Sequence, residues 1–167
     1  MDRPELEALI ARSVCGLSLG DYDSRQLNLA LGTVFGVDSQ LIADGTYFTA
    51  RIDGRLAGCG GWSRRRTLFG ADALAGREPD LLDPRCDAAR IRAFFTDPGF
   101  ARRGVGQALY DACEAAARAD GFRALELMAT LTGVALYRTL GFEAAARVEH
   151  DLGQGVTIAF VPMRREI

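Results

Sequence analysis

Between residues 94 and 109 the chain reads F-F-T-D-P-G-F-A-R-R-G-V-G-Q-A-L. Gly104 and Gly106 permit a turn whose amides point into one concavity, and they allow an anion to approach closely. A helix starting behind them adds N–H groups without acceptors and the positive end of its dipole. Arg102 and Arg103 add formal charge. Such a loop suits a pyrophosphate, although a G-x-G after a strand is also an ordinary tight turn. It is not a dinucleotide fingerprint, because the third glycine is absent, and it lacks the Gly-Lys-Ser/Thr of a nucleotide-triphosphate loop.

About thirty residues further on, Tyr137 lies in G-V-A-L-Y-R-T-L-G-F. Its hydroxyl could act as a hydrogen-bond donor or general acid, or it could belong to a core aromatic satisfied by a neighbour. Glu126 stands between Leu125 and Leu127, where a carboxylate is expected to be paired or functional. It is a candidate base, and an ion pair with Arg92 on the neighbouring strand is the simpler reading. Asp97, ahead of Pro98, reads as a turn residue. His150 reads as structural or exposed. Trp62 could line a cleft or pack in the core.

These residues need a scaffold of alternating strands and helices. Residues 4–14 predict a helix with Pro4 in its first turn and a stripe of Leu6, Leu9, Ile10 and Val14. A second helix follows Asp23, carries Leu27, Leu31, Val34 and Phe35, and stops near Gly36. TYFTARI (46–52), Asp53-Gly54 and RLAGCGGW (55–62) predict a β-hairpin. ARIRAFFT (89–96) is a strand. The helix from Gly104 turns Val105, Ala108, Leu109, Ala112, Cys113 and Ala116 to one face and ends at Gly121. RALELMA (123–129) is a strand, GVALYRTL (133–140) a helix, and 143–150 and 156–162 are strands. The order predicts a mixed α/β domain with βαβ units at its centre.

Residues 63–88 form a long polar connection with Arg64-Arg65-Arg66 and prolines at 79 and 84. A connection of that length is expected to cover an acceptor or meet a second subunit. The arginine run could attract an anion or simply be solvated.

The 167 residues predict a single domain over 1–167, able to bury a core without staples. A formal charge of −2 gives no electrostatic case for nucleic acid or an anionic membrane. No apolar run approaches the roughly 18 residues of a membrane span, and the acidic N-terminus does not read as a secretory signal. Cys15, Cys59, Cys86 and Cys113 are scattered without a C-x-x-C pair. With a single histidine, no metal site is expected. A reducing cytoplasm is the expected setting.

The stretch D-P-G-F-A-R-R-G-V-G-Q-A-L resembles the pyrophosphate-loop motif of the GNAT superfamily of N-acetyltransferases. L-Y-R-T-L-G-F resembles that superfamily's downstream A-x-x-L-Y-x-x-x-G-F motif, in the same order and at the same spacing. The resemblance spans roughly residues 45–163 and is sharp over 91–142. It implies a central mixed, mostly antiparallel sheet with a βαβ core flanked by helices, and acetyl-CoA as cosubstrate for transfer to an amine acceptor. It also implies that Phe94, Phe95 and Thr96 meet the pantetheine arm and thioester. Ala101, Arg102, Arg103, Gly104, Val105, Gly106 and Gln107 would hold the pyrophosphate, and Tyr137 would serve the departing thiolate. Ala101 departs from the Gln or Arg frequent at its position, and Thr130 from the Asn frequent seven residues before the tyrosine. The superfamily's first strand is expected to be missing, shortened or replaced, unless the start lies upstream of the one given, and a missing edge strand would leave the sheet open to a homodimer. A catalytically silent acyl-CoA-binding domain on the same fold is the alternative.

Overall fold

The computed structural model describes residues 2–167. Helix α1 (Arg3–Leu17) starts on a proline and buries Leu6, Leu9, Ile10 and Val14, the stripe expected from their spacing. Helix α2 (Ser24–Ala30) carries a full capping box between Asp23 and Gln26, which satisfies two amides at its start. It stops six residues earlier than expected. Leu31 is already extended and Gly32 takes φ 85°, a turn that L side chains resist. Val34 and Phe35 are still buried, but from a loop. A short helix, α3 (Ser39–Ala43), follows under an Asp38 cap; at five residues it is too short for a period to reveal it.

Among the described residues the sheet has seven strands. β1 (Tyr47–Ile52) and β2 (Arg55–Ser63) form the expected hairpin. β3 (Ala89–Thr96) leads through a 3-10 turn to α4 (Val105–Ala119), β4 (Ala124–Thr130) and α5 (Val134–Thr139). β5 (Glu143–Ala144), β6 (Val148–Gly153) and β7 (Val156–Glu166) complete the chain. The strand order is β1-β2-β3-β4-β7-β5, with β6 also on β7. Among these seven strands β3 and β4 run parallel and the other pairings are antiparallel. Among the described residues no strand precedes α1, and β1 is an edge. Its Arg51 is held by Glu5 of α1, which places a charge pair on that edge.

α1 and α2 cover one face of the sheet and α4 and α5 the other. The buried face of α4 is Val105, Leu109, Tyr110, Cys113 and Ala117. Ala108 and Ala112, expected inside, are exposed. Alanine marks a helix face weakly, and the Tyr110 ring takes the place instead, its hydroxyl accepting from Arg165 at 2.5 Å.

Two glycines in β2 set the geometry of β3. Opposite Gly60, β3 carries two residues, Ala93 and Phe94, as the register passes from Cys59–Phe95 to Gly61–Arg92. Ala93 takes φ 55° at this bulge. The Phe94 ring lies on Gly60, where a Cβ would come within 2.4 Å of it. At Gly58 a Cβ would meet Val105 at 2.5 Å, so the start of α4 sits directly on β2.

The long connection over residues 63–88 folds back on itself, with Thr67 N donating to Glu78 O at 2.9 Å and Leu82 N to Arg64 O at 2.8 Å. Each arginine of the 64–66 run lies near a carboxylate: Arg65 binds Asp44 at 2.7 Å, Arg64 lies 3.4 Å from Asp120 and Arg66 4.0 Å from Asp87. Arg65 is therefore engaged within the fold, while Arg64 and Arg66 remain partly exposed to solvent. Asp38, fully buried, joins this connection to the sheet through Arg77 at 2.8 Å and Arg92 at 2.6 Å. Burial lowers the Arg92 guanidinium to about 10, with Asp38 opposing the shift. Changing Asp38 to Asn keeps the shape and removes the charge that compensates two arginines. Urea unfolding should then lose about 3 kcal/mol or more, and a loss below about 1 kcal/mol would contradict the role given to this pair.

Candidate active site

β3 and β4 share a ladder only at Ala89–Leu125 and Arg90–Glu126. From Ile91 onward they part, and the edge of β3 facing β4 has no strand partner. A cavity of about 240 Å³ opens in the gap. Phe94, Phe95 and Thr96 line it from β3, Met128 and Thr130 from β4, and Gly106 and Tyr137 from α4 and α5.

The loop before α4 is shaped by Asp97, whose side chain accepts from Gly99 N at 2.9 Å and pairs with Arg12 at 2.9 Å. This is the turn role expected of Asp97. Ala101 closes the 3-10 turn, and Arg102 and Gly104 both take left-handed φ, 61° and 81°. α4 carries no side-chain cap, and its first intrahelical bond beyond the loop runs from Ala108 N to Gly104 O. The amides of Val105, Gly106 and Gln107 are thus without intrahelical acceptors. The Arg103 guanidinium lies over the Phe100 ring at 5.3 Å. Gln107 donates to Asp111 at 2.7 Å, so its side chain is turned along the helix and its amide is the group it offers. A Cβ on Gly106 would meet Leu136 at 2.9 Å, which explains why α5 can approach this turn.

Tyr137 is buried between Phe94, 6.4 Å away, and Phe142, 5.7 Å away, while bordering the cavity. Burial pushes its phenol well above the usual range, and no hydrogen bond among the described residues offsets this. The hydroxyl remains a donor. Thr130, standing where the motif has Asn, accepts from Gly133 N at 3.1 Å and fixes the turn that leads to Tyr137.

Glu126 is not at the cavity. Register puts it beside Arg90 on β3 and Arg164 on β7, and its carboxylate is held by both. The partner is Arg90 rather than the expected Arg92, because the parallel register aligns Arg90 with Glu126 and Arg92 turns to Asp38. Trp62 is buried edge-on to Phe122, 6.0 Å away, and is a core residue. His150 is half-buried and meets Phe69 at 5.1 Å.

Three contributors escaped the sequence. Ser13 accepts from Thr96 N at 3.2 Å and lines the cavity; a serine inside the apolar stripe of α1 was the available signal. Tyr22 donates to Ala159 O at 2.6 Å and accepts from Leu131 N at 2.8 Å, bracing β7 against the end of β4. Phe69, from the long connection, lies on the cavity wall.

The sequence model of the Acetyltransferase (GNAT) family matches residues 21–142. The chain belongs to that family. Its fold is similar to a GCN5-related N-acetyltransferase structure from Rhodopseudomonas palustris, described as an aminotransferase, class-II, with a TM-score of 0.73 and 20% identity over 99% of this chain and 90% of that one. It is similar to PaiA N-acetyltransferase from Thermoplasma acidophilum in complex with coenzyme A, with a TM-score of 0.64 and 12% identity over 99% and 93% of the two chains. It is also similar to a ribosomal-protein-alanine N-acetyltransferase from Brucella melitensis, with a TM-score of 0.60 and 16% identity over 100% and 97%. Among curated proteins no sequence matches the chain.

Replacing Gly106 with Asp puts bulk and negative charge among the α4 amides. CoA affinity by calorimetry should fall at least about tenfold, or about 1.4 kcal/mol. Gly106→Ala, which asks only the tip of Leu136 to move, should lose less. Equal affinity in the Asp variant and the parent would remove this loop from the binding site.

Proposed function

We infer that the chain is an acetyl-CoA-dependent N-acetyltransferase that acts on a primary amine, working as one domain over residues 1–167. The observation that carries this reading is the parting of β3 and β4 around a cavity bordered by Tyr137 and by the start of α4. The CoA complex of the PaiA relative supports the choice of cosubstrate. Acetyl-CoA would supply an acyl group on a thiol leaving group. Its diphosphate would rest on the main chain of residues 101–107, with Arg102 and Arg103 adding charge. Phe94 and Phe95 would offer backbone groups along the strand edge to the pantetheine arm, and Thr96 its carbonyl, since its amide is held by Ser13. Thr130 would act through the turn it caps, beside Tyr137.

In the reaction the amine nitrogen bonds to the thioester carbonyl carbon as the carbon–sulfur bond breaks. Negative charge on the carbonyl oxygen would be met by a backbone amide of the β3 edge. The sulfur would take the Tyr137 hydroxyl proton, which solvent later restores. The proton shed by nitrogen would pass to water, since Glu126 is occupied by two arginines. All four cysteines are free thiols, two of them exposed, and a reducing cytoplasm is the proposed setting. No helix among the described residues is long and apolar enough to cross a membrane.

Thiol release from acetyl-CoA with a panel of amines tests the reading. CoA binding without release of thiol with any amine would leave a silent acyl-CoA-binding domain instead. Tyr137→Phe keeps the ring packing and removes the proton donor. Turnover should drop by roughly 10²-fold while CoA affinity holds. Because burial raises this phenol above its ordinary value of 10, it stays protonated as pH rises through 10, so turnover should show no loss there from this group. Parent-like turnover in the Phe variant would return the leaving-group role to water.

A further inference from the structure

The cavity extends beyond Tyr137 to a second wall built largely of aromatic rings. Phe35 meets Phe95 and Phe160 edge-on, each at 6.3 Å, and Phe69 leans on Phe160 at 5.6 Å. All four rings line the cavity, and Val14 and Leu17 of α1 extend the apolar surface. Phe69 also meets His150 of β6, so the connection over residues 63–88 reaches across to the β6–β7 pair and closes this side. Among the lining residues there is no Asp, Glu or His. The one formally charged lining residue is Arg92, a cation already paired with Asp38 at 2.6 Å.

An ammonium ion brought to such a wall would lose hydration and gain no carboxylate, a cost that the neutral amine avoids. A polyamine would bring a second cation to the same uncompensated surface. Size narrows the choice further. An apolar cavity of about 150 Å³ holds one benzene ring, and about 240 Å³ is available here for acceptor and acyl end together. That volume accommodates one ring on a short arm.

We propose that the acceptor is a small primary amine bearing an aromatic ring near the nitrogen, bound as the free base against Phe35, Phe69 and Phe160. This rests on the acetyl-transfer reading and specifies its substrate. The ammonium proton is lost to solvent before binding. The nitrogen–carbon bond then forms, the thiolate leaves with the Tyr137 proton, and the second nitrogen proton goes to water. With no protein base at the cavity, the acceptor's own ionisation controls the rate below its pKa.

The test uses the full chain with acetyl-CoA, and benzylamine, phenethylamine, spermidine and an alanine-initiated tripeptide as probes, read by thiol release. The aromatic amines should exceed spermidine and the tripeptide in kcat/KM by roughly tenfold or more. The pH profile of kcat/KM should rise to a break at the amine's own pKa, and the break should move when a ring-nitrated benzylamine of lower basicity is used. Phe69→Ser should raise the KM for benzylamine about fivefold or more, leaving the KM for acetyl-CoA unchanged, with Phe69→Leu recovering most of it. Preference for spermidine or the tripeptide, or a break fixed at one pH for every amine, would overturn the proposal and leave acetyl transfer standing. Binding of CoA with no thiol release from any probe would overturn both.

Discussion

The hydrogen-bond ladder between the parallel strands β3 and β4 stops after Arg90 and Glu126, and the site is built on that interruption. Two neighbouring strands ordinarily satisfy each other's backbone along their length. Here the unpaired edge of β3 is exposed to a cavity in the centre of the molecule. The bulge at Ala93, with its left-handed φ, bends β3 away from the ladder. Gly60 allows the bulge by giving the Phe94 ring room. The Arg90–Glu126–Arg164 row crosses three strands where the ladder still holds, so the carboxylate considered as a base contributes to the fold at the point where the strands join.

The two sides of the gap are held open by different means. On one side Tyr22 ties Leu131 and Ala159 together through a single hydroxyl, and Thr130 caps the turn beyond β4. On the other, Ser13 of α1 takes the amide of Thr96, and Arg12 fixes Asp97 at the start of the loop. The loop can then present the start of α4 with its amides unclaimed. Local polar contacts set the edges of the cavity, and hydrophobic clusters on the two faces of the sheet keep the helices in place.

What could be read from the sequence was mainly local. A G-x-G before a helical period, a DG hairpin and the apolar stripe of α1 each depend on residues within one turn or one strand, and each element is where the spacing puts it. The GNAT likeness rested on the same kind of signal, two short motifs at a set spacing, and the family match spans both. Features that depend on register or on distant packing were not legible. Nothing near Glu126 says whether Arg90 or Arg92 will face it, since that follows from a parallel register and a bulge four residues apart. Phe69 sits in a polar stretch with no period, so its place on the cavity wall depends on the Asp38–Arg77–Arg92 anchor that no local pattern encodes. The early stop of α2 was signalled by Gly32, but the apolar residues beyond it carried the helical expectation past that glycine.

The central claim is that acyl-CoA occupies the gap between β3 and β4 with its diphosphate on the start of α4. Amide chemical shifts followed during titration with acetyl-CoA test it directly. The account predicts the largest changes at Phe94, Phe95 and Thr96 and at Val105, Gly106 and Gln107, with little movement along the outer edge of β1. Changes concentrated on the β1 edge, with the α4 amides unmoved at saturation, would contradict it.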